Sequence, residues 1–134
     1  MQTQNNSNMV LKESELVNKW LWEFHPTSLQ WRRVRLGVVP DKDIARAYMV
    51  ILRWADAVFV ENGVVTIVEA KLRPNAGAIG QLEHYKMLFG RTPEFSQYWN
   101  YPIELVLLAN YMDLEIVELC SKKDIKYVFY QPKE

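Results

Sequence analysis

The stretch that decides the fold is residues 53–71, RWADAVFVENGVVTIVEAK, in which two β-rich runs flank a turn signal. The runs VFV and VVTIV consist of β-branched and aromatic residues, which are enriched in strands. Asn62 and Gly63 stand between them, and an Asn-Gly pair supplies the two positive-φ positions that a two-residue hairpin turn requires. The stretch therefore predicts a β-hairpin with Asn62 and Gly63 at the centre of its turn.

The predicted register brings charged residues together at the open end of the hairpin. With the Asn-Gly pair at the centre, the facing pairs are Val60 with Val65, Val58 with Ile67, and Asp56 with Glu69. Opposed like charges destabilise a strand pair unless a positive charge lies between them, and Mg²⁺ is commonly held by one or two carboxylates. Lys71 follows Glu69 by two residues and so lies on the same face of its strand. The hairpin therefore predicts a metal site formed by Asp56 and Glu69, with Lys71 beside it.

Asp56 and the triplet Glu69-Ala70-Lys71 resemble the motif of the PD-(D/E)XK nuclease superfamily, which is an Asp on one strand followed by Glu-x-Lys on the next. Ala55 occupies the position at which that motif often has Pro, a position that varies in the superfamily. The resemblance implies an α/β fold with a restriction-endonuclease-like core. In that core a central mixed β-sheet is flanked by helices in the order α-β-β-β-α-β-α-β.

The same resemblance implies metal-dependent hydrolysis of DNA. Asp56, Glu69 and the Ala70 carbonyl are then ligands of Mg²⁺, for which Mn²⁺ is expected to substitute. Lys71 positions or polarises the attacking water and helps to neutralise the charge that develops on the phosphate. Products with 5′-phosphate and 3′-hydroxyl ends are expected on the same grounds.

Length and composition set the bounds of the molecule. With 134 residues, 49% of them hydrophobic, the chain is expected to form one globular domain over residues 10–134. Residues 1–9, rich in Asn and Gln, are predicted to be a disordered leader. The single cysteine, Cys120, permits no internal disulfide, and no run approaches the roughly 20 apolar residues of a membrane span. A soluble cytoplasmic protein is therefore predicted, with no membrane partner, from a cell or from a phage or virus.

The first amphipathic segment, residues 11–24, carries an acidic residue on its apolar stripe. Val17, Trp20, Leu21 and Phe24 recur at helical spacing, and a wheel at about 100° per residue places Glu13 at the centre of that stripe. Two interpretations are open. Glu13 either reaches solvent past the start of the helix, where negative charge favours the helix dipole, or it points into the metal site.

The same segment resembles the first helix of the archaeal-type Holliday junction resolvases, a branch of the superfamily. Those proteins read Glu-x-Glu-Leu-(Ile/Val)-x-x-x-Leu, and the matching residues here are Glu13-Ser14-Glu15-Leu16-Val17 through Leu21. The first Glu belongs to the active site in that branch, so the resemblance implies that Glu13 is a metal ligand. It also implies a homodimer, because two symmetric cuts in a four-way junction need two active sites.

Arginine is concentrated between residues 28 and 54, although the net charge of the whole chain is zero. Residues 29–36, LQWRRVRL, alternate in a way that predicts a strand with a basic face, whereas residues 44–52 fit either a short helix or the start of the next strand. Arginine interleaved with tryptophan suits phosphate contact and base stacking; a solvated strand face is the alternative. The residues predicted to bind DNA are Arg32, Arg33, Arg35, Arg53 and Arg73.

A helix predicted over residues 78–89 supplies two further site residues. Its inward stripe consists of Ala78, Leu82, Tyr85, Leu88 and Phe89, and Gln81 lies one turn before Tyr85. A Gln-x-x-x-Tyr helix after Glu-x-Lys resembles that of the RecB-like and Cas4-like branches, where it lines the DNA side of the active site. The resemblance implies that Gln81 and Tyr85 orient Lys71 or touch the substrate. A partly exposed Gln beside a core Tyr is the alternative.

The last third of the sequence completes the layers of the fold. Residues 103–109, IELVLLA, form a continuous apolar run that suits a buried parallel strand. Residues 112–122 predict a helix with Ile116, Val117 and Cys120 inward, and residues 125–130 predict a short final strand.

The function predicted from these features is a Mg²⁺-dependent deoxyribonuclease. The first helix favours a homodimer that cuts branched DNA such as a Holliday junction, and hence a role in recombination. The Gln-x-x-x-Tyr helix and the arginine-rich segment favour instead an end-processing or single-strand nuclease. A third interpretation is a non-catalytic DNA-binding or interaction module on the same fold. The intact Asp56, Glu69 and Lys71 speak against it, because two opposed carboxylates repel each other without a metal.

Overall fold

A five-stranded mixed sheet lies at the centre of the computed structural model, which describes residues 11–38, 41–47 and 53–133. The strands are β1 (Leu29–Leu36), β2 (Arg53–Glu61), β3 (Val64–Lys71), β4 (Ile103–Ala109) and β5 (Ile125–Phe129). The helices are α1 (Glu13–Phe24), α2 (Lys42–Ala47), α3 (Gly77–Phe89) and α4 (Leu114–Lys122), with a 3₁₀ segment at Pro93–Tyr98. The predicted α/β fold and its element order are confirmed; α2 overlaps the segment predicted as helix or strand, and the 3₁₀ segment is an addition.

The β2–β3 hairpin has the predicted turn and register. Asn62 has a φ of 54° and Gly63 a φ of 75°, so both central residues have the positive φ that the turn demands. The paired residues include Val60 with Val65 and Val58 with Ile67. The antiparallel ladder ends at Ala57 and Val68, one step before Asp56 and Glu69. The two carboxylates therefore lie where the strands separate, rather than in a regular cross-strand pair.

The parallel half of the sheet explains why its strands are apolar throughout. Strand β4 runs parallel to β3 and to β5, while β1 and β3 are antiparallel to β2. Residues 105–109 of β4 are all buried, as expected for a strand that is covered on both faces. In this register Lys71, the last residue of β3, is paired with Ala109, the last residue of β4. The carboxyl ends of the two parallel strands thus meet at one edge of the sheet.

Two hydrophobic cores occupy the two faces of the sheet. The first lies under α3 and α4 and includes Leu82, Phe89 and Ile116. The second lies under α1 and includes Leu16 and Leu21. Each apolar side chain of this kind contributes about 1.5–3 kcal/mol when it is fully buried, so both faces hold the sheet in place.

Strand alternation fails at Arg33 and again at Asp56. Trp31 and Val34, an odd and an even residue of β1, both pack with the first core, and so do Ala55 and Val58 of β2. The pairing of β1 with β2 keeps the same register before and after the position where alternation fails. In that register Arg33 lies opposite Asp56. Arg33 has a φ of 50°, a left-handed conformation that reorients the strand. The predicted strand is confirmed, and Arg33 and Arg35 reach the same Trp54 ring, but the alternation predicted for its whole length breaks at Arg33.

Several boundaries differ from the predictions for local reasons. Helix α4 begins at Leu114 rather than at residue 112, because the Asp113 side chain accepts hydrogen bonds from the N–H groups of Glu115 and Ile116 and caps it. Phe24, predicted to face inward, is more than half exposed at the last residue of α1, where its ring meets that of Tyr130 edge-on.

Some predictions fall on residues whose structure is not described. The segment predicted as helix or strand is helical up to Ala47, and residues 48–52 lie outside the described residues. The predicted leader, residues 1–9, also lies outside them. None of the described helices is long and apolar enough to cross a membrane.

Candidate active site at the open end of the hairpin

Asp56 joins the two strands of the hairpin where their ladder stops. Its Oδ2 accepts a hydrogen bond from the backbone N–H of Ala70 at 2.7 Å. If the register continued, Ala70 would face Ala55, so the Asp56 carboxylate takes the place of a main-chain acceptor. The side chain remains half-buried and also borders an open cleft of about 530 Å³. Asp56 is therefore fixed in position while one side of it faces solvent.

Glu69 is the most deeply buried carboxylate of the site, with 5% of the residue exposed. Its Oε2 lies 3.4 Å from Lys71 Nζ, and its Oε1 is a buried oxygen with no hydrogen-bond partner within the described structure. The hydroxyl of the nearby Tyr85 lies 2.8 Å from the backbone carbonyl of Trp54, to which it donates, and it also interacts with the Glu69 carboxylate. A buried acceptor without a donor is costly, and a cation is one partner that removes this cost.

The two carboxylates perturb each other. Burial, and after it the charge of Asp56, raise the pKa of Glu69 to about 7 against the opposing effect of Lys71. Burial also raises the pKa of Asp56; the hydrogen bond from Ala70 opposes this, and the charge of Glu13 adds to it. Two carboxyl groups that are hard to ionise together favour a positive charge between them.

Glu13 reaches the same edge of the sheet from the start of α1. Its Oε2 accepts a hydrogen bond from the backbone N–H of Leu72 at 3.3 Å, directly after Lys71. The residue is exposed, and its charge is close enough to Asp56 to raise the pKa of that group. Glu13 therefore has a feature of each interpretation, because it is exposed to solvent at the helix start and also lies at the rim of the site.

Tyr85 and Gln81 occupy different environments on α3. Tyr85 is buried, and its hydroxyl holds the carbonyl of Trp54, two residues before Asp56. Burial raises the pKa of Tyr85 above its usual value, and the charge of Glu69 adds to the shift, so the hydroxyl stays protonated. Gln81 is half-buried one turn earlier, and its amide makes no hydrogen bond among the described residues. Tyr85 thus supports the strand that carries Asp56, whereas the role of Gln81 stays a prediction.

The donor set fits a hard divalent cation. Among the described residues no group of three or more His, Cys, Asp or Glu side chains is arranged to hold a metal. The site offers two carboxylates, Asp56 and Glu69, with Glu13 at its rim. Mg²⁺ is typically bound by one or two carboxylates and keeps several waters, so the pair and the orphaned Glu69 oxygen are compatible with it. The Ala70 carbonyl remains a predicted further ligand.

The open cleft beside Asp56, hereafter the Asp56 cleft, lies between the start of α1 and the β1–β2 strands. Its lining residues are Lys12, Glu13, Ser14, Val17, Asn18, Arg32, Arg33 and Asp56. Arg32 donates hydrogen bonds to the side-chain oxygens of Asn18 and Gln30. Arg32 and Arg33, which simple alternation would place on opposite faces, share the cleft because the strand reverses its faces at Arg33.

Three of the arginines predicted to bind DNA lie close to aromatic rings, and a fourth, Arg53, is exposed on β2. The guanidinium of Arg35 lies 5.2 Å from the centre of the Trp54 ring, and that of Arg33 lies 5.6 Å from it. Arg73 lies 4.9 Å from the ring centre of Tyr111. Arg53 is exposed, and its charge opposes the upward pKa shift of Tyr85.

Two residues at the site were missed by the predictions. The backbone N–H of Leu72 holds Glu13, and Tyr111 meets Arg73 just beyond the end of β4. The position of Tyr111 could be predicted in principle, because the carboxyl ends of adjacent parallel strands lie at the same edge of the sheet. Tyr111 follows β4 at that edge, just as Arg73 follows β3. No local pattern indicates the contact of Leu72.

The fold belongs to the class of α/β structures with a mixed sheet flanked by helices, and solved endonuclease structures share it. A repair endonuclease from Pyrococcus abyssi superposes with a TM-score of 0.59 at 16% identity, over 92% of this chain and 49% of its own. The EndoMS–dsDNA complex superposes with a TM-score of 0.60 at 16% identity, over 94% of this chain and 48% of its own. A protein from Vibrio cholerae gives 0.56 at 13% identity, over 87% and 29% respectively.

This chain therefore spans less than half the length of these solved proteins. No protein-family model matches it, and no curated protein matches its sequence. At these identities the similarity concerns the fold.

Proposed function

We propose that this chain is a metal-dependent DNA endonuclease that hydrolyses phosphodiester bonds. The observation that carries the proposal is the Glu69 carboxylate, buried with an orphaned oxygen beside Asp56 and 3.4 Å from Lys71. Such a group is expensive for stability alone and is suited to a bound cation. The fold supports the proposal as well, because the structural neighbours include a repair endonuclease and an endonuclease solved with double-stranded DNA.

The residues that would hold Mg²⁺ or Mn²⁺ are Asp56 and Glu69, with Glu13 and the Ala70 carbonyl as further ligands. A bound divalent cation supplies positive charge where negative charge develops on the phosphate and the leaving oxygen. Lys71, partly exposed beside Glu69, adds a second positive group that can donate to the attacking water or to a phosphate oxygen.

Other residues keep this arrangement in place. The Ala70 N–H fixes the orientation of the Asp56 carboxylate. Tyr85 fixes the strand before Asp56 through the Trp54 carbonyl. A site held by main-chain contacts of this kind loses little entropy when the phosphate arrives.

The test is cleavage of labelled linear duplex, single strand, flap and four-way junction with Mg²⁺, with Mn²⁺ and with EDTA. We expect cutting that requires the metal and produces 5′-phosphate ends. Lys71→Ala should reduce the cutting rate at least a hundredfold, because it removes a charge at the reacting group. The matched control is Lys122→Ala, since Lys122 pairs with Glu118 on the exposed face of α4, outside the site. DNA binding without cutting of any substrate would instead support the non-catalytic module.

A second candidate is a resolvase-like enzyme for branched DNA that acts as a homodimer. The contact of Glu13 with the Leu72 N–H favours it, because it brings the residue that matches the resolvase helix to the rim of the site. Symmetric cutting of a junction requires two sites, so the chain should then have a dimeric mass in solution with uncleaved junction bound. A strict monomer with junction bound would reject this candidate and leave the nuclease proposal intact.

A further inference from the structure

Two exposed aromatic side chains flank the carboxylates, and arginines contact each of them. Trp54 is 42% exposed on β2, two residues before Asp56. It is paired with Arg35 across the β1–β2 ladder, and Arg33 approaches the same ring on the diagonal. Arg33, which approaches this ring, also lines the Asp56 cleft.

The second aromatic side chain lies on the other side of the site. Tyr111 is 49% exposed, two residues beyond the last residue of β4, and Arg73 stands two residues beyond Lys71 on the neighbouring strand. The carbonyl of Tyr111 accepts a hydrogen bond from the Tyr127 hydroxyl at 2.5 Å, so the backbone is held while the ring remains at the surface with Arg73.

The positive charges of the arginines in these two contacts are not neutralised by ion pairs in the described part of the chain. Within the described residues, Arg33, Arg35 and Arg73 form no ion pair with a carboxylate, and two of them share one tryptophan ring. Two guanidinium groups at one exposed ring suit a ligand that offers both anionic groups and flat surfaces. Guanidinium groups bind phosphate in two-pronged geometry and stack on aromatic or base planes, so a nucleic-acid strand meets both requirements.

We propose that Trp54 and Tyr111 stack on unpaired bases of a DNA strand that crosses the site, with Arg33, Arg35 and Arg73 on its phosphates. This inference rests on the proposed function and narrows its substrate class. Aromatic side chains combined with basic groups are the usual means of binding single strands, because every base has a π-face to offer. Bases within a duplex are stacked on their neighbours and paired, so they do not present that face. The strand is therefore single-stranded at the point of cutting.

The test compares binding to an intact single strand with binding to the same strand lacking its bases, measured by fluorescence anisotropy of end-labelled oligonucleotides in EDTA. The abasic strand keeps every phosphate and removes only the stacking partners. We expect the native protein to bind the intact strand roughly tenfold more tightly. Trp54→Leu and Tyr111→Leu should each lower affinity for the intact strand by a similar factor and leave affinity for the abasic strand and for a duplex within about twofold.

Matched controls separate stacking from general damage. Trp99→Leu removes a tryptophan that is 42% exposed, as Trp54 is, and that follows the 3₁₀ segment before the start of β4. Tyr101→Leu removes an exposed tyrosine that precedes β4, at the end of the strand opposite to Tyr111. Both should bind like the native protein. Trp54→Phe keeps an aromatic ring and should retain most of the affinity, with an unchanged melting temperature.

Equal losses on intact and abasic strands, or equal losses in the controls, would overturn the inference, as would a native protein that binds neither strand. Metal-dependent cutting without base-dependent binding would reject the stacking and leave the nuclease proposal standing. Base-dependent binding without cutting of any substrate would support the stacking and reject the nuclease proposal.

Discussion

The Asp56 carboxylate accepts the backbone N–H of Ala70 at 2.7 Å, at the point where the β2–β3 ladder ends. One side chain therefore both closes the open end of the hairpin and carries a charge toward Glu69. These two roles can be separated by substitution, because Asn keeps an acceptor oxygen and loses the charge, whereas Ala loses both.

Asp56→Asn should stabilise the metal-free protein, and Asp56→Ala should destabilise it. Removing one of two neighbouring buried charges should raise the free energy of unfolding by roughly 1 kcal/mol, a few degrees in melting temperature for a domain of this size. Losing the acceptor for Ala70 should instead cost about 1–3 kcal/mol. Circular dichroism melts at pH 8 in EDTA measure both changes.

The control for these melts is Glu104→Gln, which removes an exposed carboxylate from β4 and should change the free energy of unfolding by less than about 0.5 kcal/mol. A melting temperature of Asp56→Asn at or below the native value would count against close approach of Asp56 and Glu69.

The stability of the metal-free protein should fall as the pH rises through the pKa of Glu69. In the folded state this pKa is about 7, above the ordinary value of 4.5, so between these values the folded state holds more protons than the unfolded state. The free energy of unfolding therefore decreases from about pH 4.5 to about pH 7 and is level above that range. Screening by solvent limits the loss to roughly 2 kcal/mol.

Urea unfolding of the native protein and of Glu69→Gln at pH 5 and at pH 8, both in EDTA, measures this dependence. Glu69→Gln cannot ionise, so its stability should change less between the two pH values, and Glu104→Gln should follow the native protein. Equal pH dependence in native protein and Glu69→Gln would show that Glu69 titrates at its ordinary pKa.

Substitutions at two glycines test whether the hairpin turn requires the positive φ of Gly63. Gly63 has a φ of 75° and no atom within 4 Å of an added Cβ, so Gly63→Ala introduces backbone strain without a clash and should cost about 1–2 kcal/mol. Gly80 also has open space around it but lies in α3, where Ala is preferred, so Gly80→Ala should gain about 1 kcal/mol. Chemical unfolding measures both. Stabilisation by Gly63→Ala would contradict the positive φ of Gly63.

The parts of the fold that follow from local pattern could be predicted from the sequence. The Asn-Gly turn and the β-branched runs specify the register of the hairpin because a shift of one residue would move every apolar side chain to the wrong face. The bounds of β1 and β4 match the predicted ranges because each strand is a continuous pattern between clear breaks.

The parts that depend on contacts between distant residues could not be predicted. The reversal of faces at Arg33 accompanies the separation of β2 from β3 at Asp56, which involves the main chain of Ala70. Alternation alone gives no sign of it. The contact between Arg73 and Tyr111 joins residues that follow two different strands, so it emerges only from the parallel pairing.

Glu13 and Glu15 form a matched pair that decides between the two interpretations of the first helix. Both are exposed in the first turn of α1, and each accepts a main-chain hydrogen bond, Glu13 from Leu72 and Glu15 from Lys12 at 3.2 Å. Substitution of either by Gln keeps an acceptor and loses a similar interaction with the helix dipole, about 0.3–1 kcal/mol. Only Glu13 adjoins Asp56, so only Glu13→Gln should weaken Mg²⁺ binding.

The measurement is the rise in melting temperature on titration with Mg²⁺, which reports binding to the folded state. Native protein and Glu15→Gln should show the same rise, and Glu13→Gln should need roughly tenfold more Mg²⁺ to reach it. Equal titrations for both variants would place Glu13 in solvent at the helix start, as a charge that serves the helix and not the metal. A titration in which the native protein itself gains no stability would remove the metal from the proposal altogether.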